Sequence, residues 1–210
     1  MPKLVDHDQR RAELARVVWE VIGRDGIEAA TVRRIAEEAG LSIGGLRHYF
    51  DSQRGLLRFA AEAVGRSVGA RVTELLRADL SGVDRARALL AEMLPLDADR
   101  RVEADVWLAC LVRARTDASM GDLRGIAWAG ERHICRLAVA FRCDARPPEV
   151  VGDELQDPSL ERQARRLHVF LDGLTLQAAT YPGELSTGEA LDLLGAELDL
   201  IAELVAAPAD

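Results

Sequence analysis

The chain has 210 residues and a formal net charge of −8, with 49% hydrophobic and 30% charged side chains. Such a composition can bury a core and stay in solution, so disordered and fibrous classes are excluded. No apolar run approaches the roughly 18 residues that a membrane span needs, and the polar start MPKLVDHDQRR carries no secretory leader. The three cysteines, Cys110, Cys135 and Cys143, are widely spread and form no CxxC pair. They point to a reducing cytoplasm rather than to a disulfide framework or a zinc finger. The charge is unevenly spread. Residues 1–58 carry a net +1 and the remainder −9, so an acidic chain still has a local basic face of the kind that meets nucleic acid.

The periodicity predicts helices throughout and no strand. Leu14, Val18, Val21 and Ile22 recur at helical spacing, and Gly26 should end that helix. Thr31 caps a short second helix over Val32–Ala39, and Ser42 caps a third that runs to about Phe50 despite two glycines. Asp51 or Ser52 caps a long fourth helix reaching Arg77. Further helices are expected at 84–94, 101–118, 122–142, 158–180 and 187–206. Asp157-Pro158 and the Ser186/Glu189 capping box start the last two. The final helix has two apolar stripes: Leu191, Leu194, Leu198, Ile201 and Val205, and a second of Leu193, Leu200 and Leu204. One buried face needs only one stripe, so the other suits a second chain.

Within TVRRIAEEAGLSIGGLRHYF, residues 31–50, the spacing is that of a helix-turn-helix. Ala36 is the small residue where two helices cross, Gly40 makes the turn, and Leu46 anchors the second helix. That second helix is then free to enter the major groove.

The match runs further than the spacing. Leu14 to Gly26, Thr31-Val32-Arg33-Arg34-Ile35-Ala36, Ala39-Gly40-Leu41-Ser42, Gly44, Leu46, Tyr49-Phe50 and Leu56-Leu57 resemble the TetR family of bacterial one-component regulators. The stretch from Leu167 to Leu194 resembles the C-terminal domain of the choline/betaine-repressor-like subgroup. The resemblance implies an all-α fold. A helix-turn-helix DNA-binding domain over 1–52 would be joined by a long helix to a ligand-binding and dimerisation bundle over 53–210. It implies a homodimeric repressor, released from a palindromic operator by an unknown small-molecule effector and needing no cofactor. An activator with the same DNA chemistry, or a dimeric scaffold that has lost DNA binding, are the alternatives. An enzyme finds no support, since HExxH, P-loop and GxGxxG patterns are missing from the sequence.

Residue roles follow from the same resemblance. Thr31, Arg33, Arg34, Ser42, Ile43, Gly44, Gly45, Arg47, His48, Tyr49 and Arg54 form the expected DNA-binding set. Arg47 can pair with guanine O6 and N7, and Tyr49 can reach a phosphate. Where the family commonly has a phosphate-binding lysine this chain has Gln53, so that contact moves to Arg54, beside an unhelpful Asp51. Trp107, Cys110, Leu111, Met120, Trp128, Phe141, Phe170 and Gln177 form the expected effector pocket. Leu167, Leu171, Leu174, Leu191, Leu194, Leu198 and Ile201 form the expected dimer interface. No metal site is expected, because His133 and Cys135 stand about 200° apart on one helix.

Overall fold

Helix α1, His7–Asp25, stops where Gly26 adopts φ +84° and its N–H bonds the Ile22 carbonyl at 2.9 Å. The computed structural model describes residues 7–50 and 52–207, so Asp51, expected as a cap and as a charge near the DNA, lies outside the described residues. After a single 3-10 turn at Ile27–Ala29 come α2, Val32–Glu38, and α3, Ile43–Arg47. The longer helices are α4, Gln53–Arg77; α5, Gly82–Ala91; α6, Ala98–Thr116; α7, Gly121–Arg142; α8, Pro158–Thr180; and α9, Thr187–Ala206. Among the described residues there is no strand, as the periodicity predicted.

Local chemistry sets the helix starts. Thr31 accepts from the Arg34 N–H at 3.2 Å, Ser42 from Gly45 at 3.0 Å, and Ser52 from Gly55 at 3.1 Å. Each satisfies one of the donors that a helix N-terminus leaves unpaired. Asp157 caps α8, and Ser186 with Glu189 closes a complete capping box on α9. Helix α3 is shorter than expected and gives way after Arg47 to a tight turn through Tyr49. Two glycines in five residues lower its helical propensity, and the Tyr49 N–H already turns back to the Leu46 carbonyl at 2.9 Å.

Two compact units result, and they cut across the sequence division at residue 52. The first joins the described residues up to Ser67 with Asp105–Arg124. In it α1 packs on α2 and α2 on α3. Leu14, Val18, Ile35, Ala36, Leu46 and Leu56 are almost fully buried in that core. Trp19 Nε1–H donates to the Ala60 carbonyl at 3.1 Å, and the Phe50 and Phe59 rings lie 4.7 Å apart.

The second unit comprises Val68–Ala104 and the described residues from Gly125 onward. Its core gathers Leu90, Leu94, Cys135, Ala138, Val139, Leu160, Ala164, Leu167, Leu171, Leu174, Leu194, Leu198 and Ile201. This corrects the expected dimer interface. Leu167, Leu171, Leu174, Leu194, Leu198 and Ile201 are buried within their own chain, and Leu191 alone of that set reaches the surface. Each fully buried leucine contributes about 1.5–3 kcal/mol relative to exposure, so these side chains hold the unit together. The stripe left outside is the other one, Leu193, Leu200 and Leu204 on α9, with Val169 and Leu176 on α8.

Candidate nucleic-acid interface

Gly40, at φ +63°, turns the chain between α2 and α3 in the left-handed conformation that costs glycine least. Ala36 beside it is 1% exposed and Leu46 is fully buried, so the three spacing residues occupy the three places the motif requires. What remains outward on α3 is Ile43, Gly44 and Arg47, followed by His48. A five-residue helix with two glycines, each costing roughly 1 kcal/mol against alanine, has little stability alone. Burial of Leu46 and the Ser42 cap hold it in place.

The arginines of this segment are sorted by their acidic neighbours. Arg33 pairs with Glu37 at 3.0 Å, Arg34 with Glu38 at 2.8 Å, Arg54 with Asp117 at 3.4 Å and Arg58 with Asp122 at 2.7 Å. Arg24 reaches both Asp25 and Glu38 and holds their carboxyls below the usual range. Arg47 is exposed and has no acidic partner among the described residues. Exposed ion pairs contribute at most about 1 kcal/mol, so phosphate can displace the acids from Arg33 and Arg34 at low cost. Tyr49 is half-buried, its ring 6.3 Å from that of Phe50.

The eight residues expected to line an effector pocket do not come together within either unit. Trp107, Cys110, Leu111 and Met120 fall in the first unit, and Trp128, Phe141, Phe170 and Gln177 in the second. Cys110 is fully buried, its thiol donates to the Leu57 carbonyl at 3.6 Å, and burial pushes its pKa up to about 12. Met120 is 1% exposed; these two are core residues of the helix-turn-helix unit. Trp128 is 55% exposed with the Arg132 guanidinium 5.0 Å over its ring, and Gln177 faces outward. A cavity of about 620 Å³ in the second unit is lined instead by the proline-containing segment, including Arg146, Pro147, Glu149, Asp153 and Asp157.

Sequence reasoning also missed two polar assemblies in the second unit. Arg136 donates to both oxygens of Glu161, at 2.7–3.1 Å, with both side chains under a tenth exposed. Burial raises the Glu161 pKa, but the Arg136 hydrogen bonds and charge outweigh it and hold the carboxyl low. Nearby, Arg132 Nε–H donates to His168 Nδ1 at 3.1 Å, while His168 Nε2 faces Glu131 at 3.3 Å and Asp172 at 3.5 Å. With Nδ1 accepting from Arg132, Nε2 is the ring nitrogen left to donate toward the carboxylates. Glu131, His168 and Asp172 are close enough for one ion. Partners 25 or more residues apart leave no local signal in sequence.

Comparison with known proteins agrees with this architecture. Residues 17–59 match the family described as bacterial regulatory proteins, tetR family, and residues 82–203 match the BetI-type transcriptional repressor, C-terminal. The HTH-type transcriptional regulator PksA of Bacillus subtilis is 36% identical over 184 residues, covering 87% of this chain and 84% of that protein. The HTH-type regulator BetI of Vibrio parahaemolyticus is 36% identical over 202 residues, covering 95% of each. Among solved structures, a transcriptional regulator of Rhodococcus superposes with a TM-score of 0.76 at 26% identity, covering 92% of this chain and 96% of its own. A regulator of Saccharomonospora viridis solved with choline gives 0.76 at 20% identity, covering 91% and 96%, a likeness of fold alone. The chain therefore belongs to the TetR family of bacterial transcriptional regulators, with a C-terminal domain of the BetI repressor type.

Proposed function

We propose that the protein is a homodimeric repressor that acts in the cytoplasm, binds a palindromic operator and is released by a small molecule. The observation that carries this reading is the outward face of α3, where Arg47 stands exposed at the end of a buttressed recognition helix, with no acidic partner among the described residues. Arg33, Arg34, Arg54 and Tyr49 flank it as phosphate contacts, with the capped starts of α2 and α3 beside them. A second copy supplies the second reading head, one DNA turn of about 34–36 Å or a related distance away. The exposed stripes of Val169 and Leu176 on α8 and Leu193, Leu200 and Leu204 on α9 supply the surface on which the copies meet. Choline, the ligand of the Saccharomonospora viridis neighbour, is the first effector to try. An effector releases the operator only if it binds the non-matching dimer more tightly than the matching one.

Fluorescence anisotropy on the duplex flanking the protein's own gene tests this. Saturable binding that falls steeply between low and moderate salt is expected, and choline added to the complex should lower the signal if choline is the effector. No binding to any duplex would remove the reading. Leu200→Asp should shift the protein toward monomer in sedimentation and weaken operator binding together.

A further inference from the structure

The recognition helix carries no polar side chain over its first four residues: Ile43, Gly44 and Gly45 precede the buried Leu46. Donors to base edges therefore begin only at Arg47 and His48. The N-terminal half must read DNA by another means or not at all. Gly44 gives the first clue. A Cβ built there would meet nothing nearer than its own cap, Ser42 Oγ, at 3.9 Å, so no internal packing requires glycine. Its bare backbone suits close approach of something from outside the chain. Gly45 differs, since a Cβ there would come 3.2 Å from Ser42 Oγ and crowd the cap.

Ile43 gives the second. It is 45% exposed at the start of α3 while the other large apolar side chain of the helix, Leu46, is fully buried. A single exposed isoleucine on an ordinary surface needs no explanation. This one sits beside the stripped backbone and four residues before Arg47, hence on nearly the same helix face. In the major groove the one apolar group on a base edge is the thymine C5-methyl.

We propose that Ile43 is a specificity-determining residue that reads a thymine methyl, with Gly44 allowing the approach and Arg47 reading a guanine on the same half-site. Four helical residues advance about 6 Å at 1.5 Å each, close to two base-pair steps of about 3.4 Å. The thymine and the guanine therefore lie about two base pairs apart. This assignment rests on the DNA-reading role proposed above.

The test starts by selecting bound duplexes from a random pool with the full-length protein. Deoxyuridine, which lacks only the methyl, then replaces each thymidine of the selected half-site in turn. At one position the wild type should lose roughly 4-fold in affinity per half-site, the worth of one buried methyl-sized group. Ile43→Ala should be nearly blind to that replacement, and Ile43→Val, which keeps branched methyls, should still sense it. A selected site that tolerates deoxyuridine at every thymidine overturns the assignment and leaves the regulator intact. A loss undiminished in Ile43→Ala also overturns it. A pool from which no sequence is enriched overturns the sequence-reading role itself.

Discussion

Arginine does opposite work in the two units. In the helix-turn-helix unit Arg33 and Arg34 are 81% and 46% exposed, and their partners Glu37 and Glu38 are 58% and 33% exposed. In the C-terminal unit Arg136 and Glu161 are each under a tenth exposed, and Arg71 joins two buried glutamates, Glu92 and Glu103. The first kind of pair is worth little and is easily traded for phosphate. The second cannot be opened without stranding a buried charge. The same residue type thus marks a reading surface in one unit and a structural joint in the other, and burial rather than abundance tells them apart.

The sharpest way to break that comparison is to remove one acid from each kind of pair. Glu161→Ala should lower stability by about 3–5 kcal/mol in urea denaturation, whereas Glu37→Ala, which frees Arg33, should change it by less than about 0.5 kcal/mol. Equal losses would abolish the distinction. The pH dependence carries the same contrast. Because the folded Glu161 carboxyl is held below its ordinary 4.5, its contribution is present above that value and is lost as pH falls through the depressed one. The urea midpoint should therefore drop more steeply below about pH 4.5 in the wild type than in Glu161→Ala.

Next in size is Arg47, the exposed arginine at the end of the recognition helix. Arg47→Ala should weaken operator binding by about 1–3 kcal/mol and relax preference at one base position, with the unfolding midpoint unchanged. A smaller effect on folding is expected from Ser186→Ala, about 1 kcal/mol, because it removes the capping box of α9 without touching either kind of ion pair. The smallest is Arg33→Ala. It should leave stability within about 0.5 kcal/mol and flatten the salt dependence of DNA binding by about one unit of slope.

Much of this was legible from short stretches of chain. The caps at Thr31, Ser42, Asp157 and Ser186 are local events between residues two or three apart, so side-chain type and position suffice to find them. Gly26 and Gly40 lie where the backbone turns left-handed. Ala36, Gly40 and Leu46 identify the helix-turn-helix because its crossing geometry fixes their spacing. The end of α3 at Arg47 rather than near Phe50 has a local cause too, since two glycines in five residues weaken the helix. The division of the expected pocket residues between the two units was not legible, for a non-local reason: Cys110 and Met120 belong to the core of the helix-turn-helix unit, though they lie far from that motif in sequence.

The sequence by itself determined the caps that start α2, α3, α8 and α9 and that α9 has two apolar stripes. Caps, glycines and periodicity act within a turn or two of the chain, and a stripe is a property of one helix. Only the tertiary structure decided which stripe faces inward. Leu194, Leu198 and Ile201 meet α8 and the rest of the core, while Leu193, Leu200 and Leu204 stay outside. Two faces of one helix with similar apolar content are equivalent until another helix packs against one of them. The partner of Arg136 was decided in the same way, because Glu161 reaches it across 25 residues of sequence.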